Sequence, residues 1–406
     1  MLACGAVLLT ERMTGVRSAA ISWHLPAGSA TDTPALEGRA PLWSELLLRG
    51  TRRLTSQEHA DAADRLGASR DTELGTFTMR VSSTMLGEHL PNVLPLLVDM
   101  VREPRMDDAS VEASRELCLQ AIESLKDDPQ ERASLLAHER HHAHPVSLTG
   151  MGTPKGLAAN TPEQLRRDWS RYAVPTGSIF SVAGAIDANR IEDELNTLFD
   201  GWTGTAQPVR TGTPAQRGYA HTRDESSQVQ VIVLADGPTE TSPDSPLEKL
   251  AVTVLSGGMS GRLFSEVREK RGLCYSVHAG YRGDKDFGTL SAYVGTTPER
   301  AQESLDVLLG EIHRITTPAG RVTPEELDRA RIGMKAGLVM SGESAGARAA
   351  SMASDYRRTG RARTLAETAR EVEAVSLDEL NAYLAQRTLG KITVQTLGKE
   401  PLTVRA

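Results

Sequence analysis

Two stretches of this chain follow one plan: TFTMRVSSTMLGEHLPNVLPLLVDMV from Thr76 and TLSAYVGTTPERAQESLDVLLGEI from Thr289. Each opens on an alternating run expected to be a strand ending in valine (Val81, Val294). A helix start follows, and then an apolar stripe at helical spacing. The stripe is Leu86, Leu90, Leu94 and Leu97 in the first copy, and Ala301, Leu305, Leu308 and Ile312 in the second. The copies lie about 213 residues apart in a chain of 406. That period is too long for a solenoid repeat and suits two copies of one domain. Between them, residues 203–218 (TGTAQPVRTGTPAQRG) have no apolar periodicity and read as a connection. The expected division is a domain over 1–203, a linker over 204–217 and a homologous domain over 218–406.

Within each half, runs such as VRSAAISWHL, SIFSVAGAI, VQVIVLA and KITVQTLG alternate as strands do. EQLRRDWSRYA and ANRIEDELNTLFDGW carry the spacing of amphipathic helices. Strand pairs interspersed with helix pairs predict an α+β fold, with helices covering one face of each mostly antiparallel sheet. The opening MLACGAVLLTERMTG lacks a basic start and meets charges at once, so it reads as a first strand and not a secretion signal.

The formal net charge of −7 argues against a nucleic-acid partner, because phosphate binding needs a basic face. No apolar run approaches the roughly 18 residues of a membrane span, so no membrane partner is expected. Cys4, Cys118 and Cys274 are far apart and odd in number, which fits a reducing, cytoplasmic setting better than a disulfide framework.

Residues 138–142, His138-Glu139-Arg140-His141-His142, match H-x-x-x-H with the glutamate of a zinc peptidase, H-E-x-x-H. Glu163, about twenty residues on, stands where such enzymes can place a third ligand. The competing reading is a helix from Gln130 to His142, stopped by Pro145, with Ala133, Leu135 and Leu136 toward the core. Histidines in its polar last turn would complement the helix dipole, a gain of about 0.3–1 kcal/mol. That reading is favoured, with His138 and His142 as adventitious metal ligands at most.

Other signatures run nearly end to end: AGSATDTP, GRAPLWSELLLRGT, LKDDP, HPVSLTGMGTPKGLAANTPEQL, SVAGAID, LSGGMSGRLFSEVREKRGLCYSV and TPEELDRARIGMKAGL. In these the chain resembles the insulinase/pitrilysin family of inverted zincins, closest to the bacterial group related to mitochondrial processing peptidase. The resemblance implies two homologous domains forming half of a clamshell. In catalytic members one helix carries H-x-x-E-H, and a further glutamate follows some 76 residues on. Two imidazoles and a carboxylate hold zinc, and the remaining glutamate activates water. Here Pro41 and Glu45 fall at the histidine positions, Ser44 at the base and Ala121 near the downstream glutamate. The resemblance therefore implies a chain with no zinc and no catalytic residue of its own.

Family members of this type also place an arginine and a tyrosine, spaced R-x6-Y, near the substrate from the domain facing the zinc site. In LFSEVREKRGLCYSV these are Arg268 and Tyr275, with Arg271 a weaker candidate. A guanidinium and a phenol can donate to a peptide carbonyl or to the oxyanion formed from it. The competing reading pairs Arg268 with Glu266 or Glu269 and packs Tyr275 in a strand. Gly257, Gly258 and Gly261 fit no phosphate-binding pattern and predict a helix-entry turn with Ser260 as N-cap. SRDTELGTFTMRV falls where the family has a substrate-accepting edge strand, with Asp71 replacing the family's asparagine.

The function expected is the zinc-less subunit of a heterodimeric metallo-endopeptidase, inactive alone. Its partner would be a homologous H-x-x-E-H subunit carrying the zinc, and its substrates short or unfolded peptides, leader peptides included. The alternative is a catalytically inactive peptide-binding or scaffold homodimer. An autonomous zinc peptidase built on His138 and His142 is the remote third reading.

Overall fold

The structure, a computed structural model, describes residues 1–209 and 215–404, so the expected 204–217 linker lies partly outside the described residues. Contacts divide the chain into two units, each with one five-stranded sheet. The first sheet holds β1 (Val7–Arg12), β2 (Ser18–Leu25), β3 (Asp71–Leu74), β4 (Met79–Leu86) and β5 (Ile179–Gly184), in the order β1-β5-β2-β4-β3. The second holds β6 (Gly218–Arg223), β7 (Val229–Gly237), β8 (Cys274–Gly283), β9 (Gly288–Thr296) and β10 (Thr393–Gly398), in the order β6-β10-β7-β9-β8. Place by place the two orders are the same. In each, the first and last strands in sequence pair in parallel and every other pairing is antiparallel. Shared topology is what duplication of one domain predicts, and the α+β reading holds.

The repeated segments are β4 with the helix Leu90–Arg102, and β9 with the helix Ala301–Arg314. Both strands run past the expected valines, to Leu86 and Thr296. The alternation begun at Val81 simply continues, and Leu86 ends a strand, exposed, instead of opening the helical stripe. The other stripe residues are buried as their spacing requires.

Period-2 alternation sets what each face of the second sheet does. Val229, Val231, Val233 and Ala235 of β7 point into the main core, while Ile232 and Leu234 point the other way. That second face is not bare. Ala133 and Ala137 of the helix Pro129–His141 cover it, packing on Ile232, Leu234, Tyr293 of β9 and Leu397 of β10. The units therefore do not follow the chain halves. Residues 125–143 join the second unit, and residues 341–357 join the first. There the helix Ala345–Thr359 meets β1 through an Arg348–Glu11 ion pair. The first unit's core is centred on Trp23, whose ring lies 5.2–5.6 Å from those of Phe180, Phe199 and Trp202.

Candidate functional site

Arg268 sits in a turn of π-helix, Phe264–Glu269, and Tyr275 follows near the start of β8. The β8–β9 register shifts between Cys274 and Ser276, so Tyr275 falls in a bulge. Bulges re-aim a side chain out of the pleat, and Tyr275 is 82% exposed. Arg268 reaches it: Nη1 donates to the Tyr275 carbonyl at 2.7 Å, and the guanidinium lies 4.8 Å from the ring centre. The same guanidinium lies 4.9 Å from the centre of the Phe264 ring. The ion pair to Glu266 or Glu269 does not form. Glu266 instead takes Lys270 and Arg271. Arg271 also donates to the Glu266 carbonyl, so its work is closing the helix end. The structure thus brings Arg268 and Tyr275 together and adds Phe264, which sequence reading missed. An aromatic four residues before an arginine was the available signal.

Pro41, Ser44 and Glu45 share the partly exposed face of the helix Arg39–Leu47. That helix is firmly seated. Asp32 accepts from the backbone N–H of Gly38 (2.8 Å) and Ala40 (3.1 Å). Buried Arg39 has its guanidinium 4.8 Å from the centres of the Trp43 and Tyr172 rings and donates to Asp168 at 2.8 Å. Ala121 is exposed on the helix Asp108–Ser124, which packs against this one. Ser44 donates to the Thr72 hydroxyl at 3.1 Å, and Thr72 donates back to the Ser44 carbonyl at 3.0 Å. The helix is thereby tied to β3, the edge strand whose first residue is exposed Asp71.

Tested against a zinc ion, these positions do not fit. Pro41 and Ala121 have no donor atom, which leaves Glu45. The nearby Cys118 thiol is pushed up to about 11, by burial and then by the charge of Glu45, and with Glu45 it makes two side chains where a zinc site needs three protein ligands. Among the described residues, no three His, Cys, Asp or Glu side chains are grouped so as to hold a metal ion. Zinc should leave the thermal midpoint where EDTA leaves it. A true site at a hundredfold excess over its Kd would add about 2.7 kcal/mol, which a melting curve detects.

Two family models match consecutive parts of the chain. Residues 7–153, spanning Pro41 to Ala121, match "Insulinase (Peptidase family M16)", and residues 160–334, which include Arg268 and Tyr275, match "Peptidase M16 inactive domain". The chain belongs to the insulinase (M16) peptidase family. It is 28% identical over 357 residues to an uncharacterized zinc protease of Streptomyces coelicolor (84% of this chain, 76% of that one). It is 26% identical to the uncharacterized zinc protease YmxG of Bacillus subtilis (94% and 93%). The fold is that of a peptidase M16 inactive domain from Pseudomonas fluorescens, with TM-score 0.88 and 21% identity over 99% of this chain and 98% of that one.

The H-E-x-x-H match falls at the end of the helix Pro129–His141, and among the described residues no third side chain is grouped with His138 and His142 to hold a metal ion. The helix ends at His141, one residue earlier than its sequence predicts, and the motif histidines His138 and His142 are half-buried with ring centres 4.5 Å apart. His141 is fully buried, with Nδ1 3.0 Å from the Thr393 hydroxyl, and His142 packs against Phe287 and Thr289. Core contacts come from Ala133, Ala137 and Leu136, and not from Leu135. Glu139 is exposed, and Glu163 is an exposed residue of the helix Pro162–Tyr172 in the other unit.

Burial, reinforced by the Arg217 charge, lowers His141 to about 4. Burial and the neighbouring histidines lower His142 to about 3. Both are bases harder to protonate folded than unfolded. The unfolded chain takes up protons near pH 6.5 while the folded chain does not, so stability falls as pH drops from 6.5 toward 4. The thermal midpoint should be flatter over this window in His142→Phe than in the unaltered protein. Parallel curves would show that His142 does not titrate on unfolding.

Gly257 closes the helix Ser245–Ser256, where a Cβ would meet the Thr253 carbonyl oxygen at 2.4 Å. The next helical turn opens at Gly261, whose carbonyl accepts Ser265 N–H at 3.0 Å, and not at Ser260. Among the described residues no helix is long and apolar enough to cross a membrane.

Proposed function

We propose that this chain is the zinc-less subunit of a two-chain metallo-endopeptidase. A homologous subunit with intact H-x-x-E-H would supply the metal and the base. Arg268 and Tyr275 of this chain would donate hydrogen bonds to the peptide carbonyl, or to its oxyanion, in the partner's site. Substrates would be short or unfolded peptides, with leader peptides of precursors as one such class. The observation that carries this reading is Tyr275, an 82% exposed tyrosine backed by a guanidinium, in a chain whose own zinc-motif positions keep one possible ligand, Glu45. Relatives named zinc proteases support the reaction class.

The test uses the full chain purified with and without an H-x-x-E-H paralogue of the same organism, assayed on a peptide library. Hydrolysis should require both chains. It should be lost when this chain carries Arg268→Ala and Tyr275→Phe. Equal hydrolysis with the unaltered and doubly substituted chains would overturn the reading and leave a peptide-binding or scaffold role.

A further inference from the structure

We propose that Phe264 is a positioning residue for the Arg268–Tyr275 pair; this rests on the donor role proposed for that pair. A tyrosine this exposed has few neighbours of its own to fix its direction. What holds it is Arg268, through one hydrogen bond to its carbonyl and the stack on its ring. An arginine side chain is itself long and rotamer-rich, so it can hold Tyr275 only if something holds it. Phe264 does so, with its ring centre 4.9 Å from the same guanidinium.

Two departures from regular backbone meet at this point. A π-turn closes with i to i+5 bonding, as in Lys270 N–H to the Ser265 carbonyl at 3.0 Å, and spreads the residues around the helix. It carries both Phe264 and Arg268. The β-bulge turns Tyr275 out toward them. The fold does not otherwise require Phe264. Its neighbours Leu263 and Val267 are fully buried in the second unit's core, while Phe264 is outside that core and only partly buried. A leucine there would preserve the helix and lose the stack.

The experiment labels the full chain with 3-fluorotyrosine. Of its seven tyrosines, Tyr275 is identified as the fluorine resonance lost in Tyr275→Phe. Phe264→Leu should move that resonance toward the position of a free, solvated tyrosine and narrow it, without lowering the thermal midpoint. Phe264→Tyr, which restores a ring, should return it. With the H-x-x-E-H paralogue, Phe264→Leu should lower kcat about twofold to fivefold, the loss expected for one exposed cation–π contact, with KM little changed and Phe264→Tyr recovering it. An unmoved Tyr275 resonance in folded Phe264→Leu would overturn the proposal. A resonance that moves as expected, with hydrolysis indifferent even to Tyr275→Phe, would support the positioning and defeat the donor role beneath it.

Discussion

Tyr275→Phe in this chain is expected to lower kcat of the proposed two-chain peptidase about 10²–10³-fold, the cost of deleting one oxyanion donor in other enzymes. The change removes one oxygen and keeps the ring, so the Arg268 stack should survive and only the donor is lost. Because the side chain is 82% exposed, stability should hold within about 0.5 kcal/mol, as for surface substitutions generally. A donor used chiefly in the transition state lowers kcat and kcat/KM together and leaves KM nearly unchanged. Arg268→Ala should fall in the same range, and the double variant well short of the product of the two. Residues that share a hydrogen bond and a ring contact are coupled, and removing either disables the other. Strictly multiplicative losses would mean that the two act on different steps. A Tyr275→Phe complex with unchanged kcat would remove the phenol from the mechanism.

The duplicated plan was legible because burial enforces it. Leu94 and Leu305 are fully buried at places that periodicity alone identifies. The blank zinc positions were legible because chemistry is a property of residue type, and neither proline nor alanine can ligate. The exchange of helices between units was not legible. The sequence between Leu125 and Ala143 offers a short apolar stripe, Ala133, Leu136 and Ala137, and nothing local says which sheet such a stripe will meet. The burial of His141 followed from that miss, since a histidine in a helix's last turn reads as solvated until its partner, Thr393 of β10, is known. The R-x6-Y spacing came from the family resemblance, not from periodicity. What brings the two side chains together is a π-turn and a bulge, each a one-residue irregularity that no pattern of period 3.6 or 2 can announce.

Arg387→Met is expected to destabilise the second unit by about 3–5 kcal/mol, the range for removing one partner of a buried ion pair. Glu248, in the helix Ser245–Ser256, and Arg387, at the end of the helix Leu377–Gln386, pair with side chains 0% and 2% exposed. Tyr383 donates to the other Glu248 oxygen at 2.6 Å. Burial and then the Glu248 charge push the Tyr383 hydroxyl far above its usual range, so it remains a donor. Without Arg387 the carboxylate keeps one neutral partner and no counter-charge. At about 2–4 °C per kcal/mol for a unit of this size, the midpoint of its transition should drop by roughly 6–20 °C. Replacing the whole set, as Glu248→Leu/Tyr383→Phe/Arg387→Met, should recover most of the loss, because an apolar set of similar volume often equals a buried ion pair. The activity of the assembled enzyme should follow the same order. The Glu248 helix ends at Ser256, whose hydroxyl accepts Ala279 N–H of β8 at 2.8 Å, and β8 carries Tyr275. Loosening that helix frees the strand from which the phenol projects. A cost below about 1 kcal/mol for Arg387→Met would place the pair in the range of exposed ion pairs, and would mean that water or a proton reaches Glu248 once Arg387 is gone.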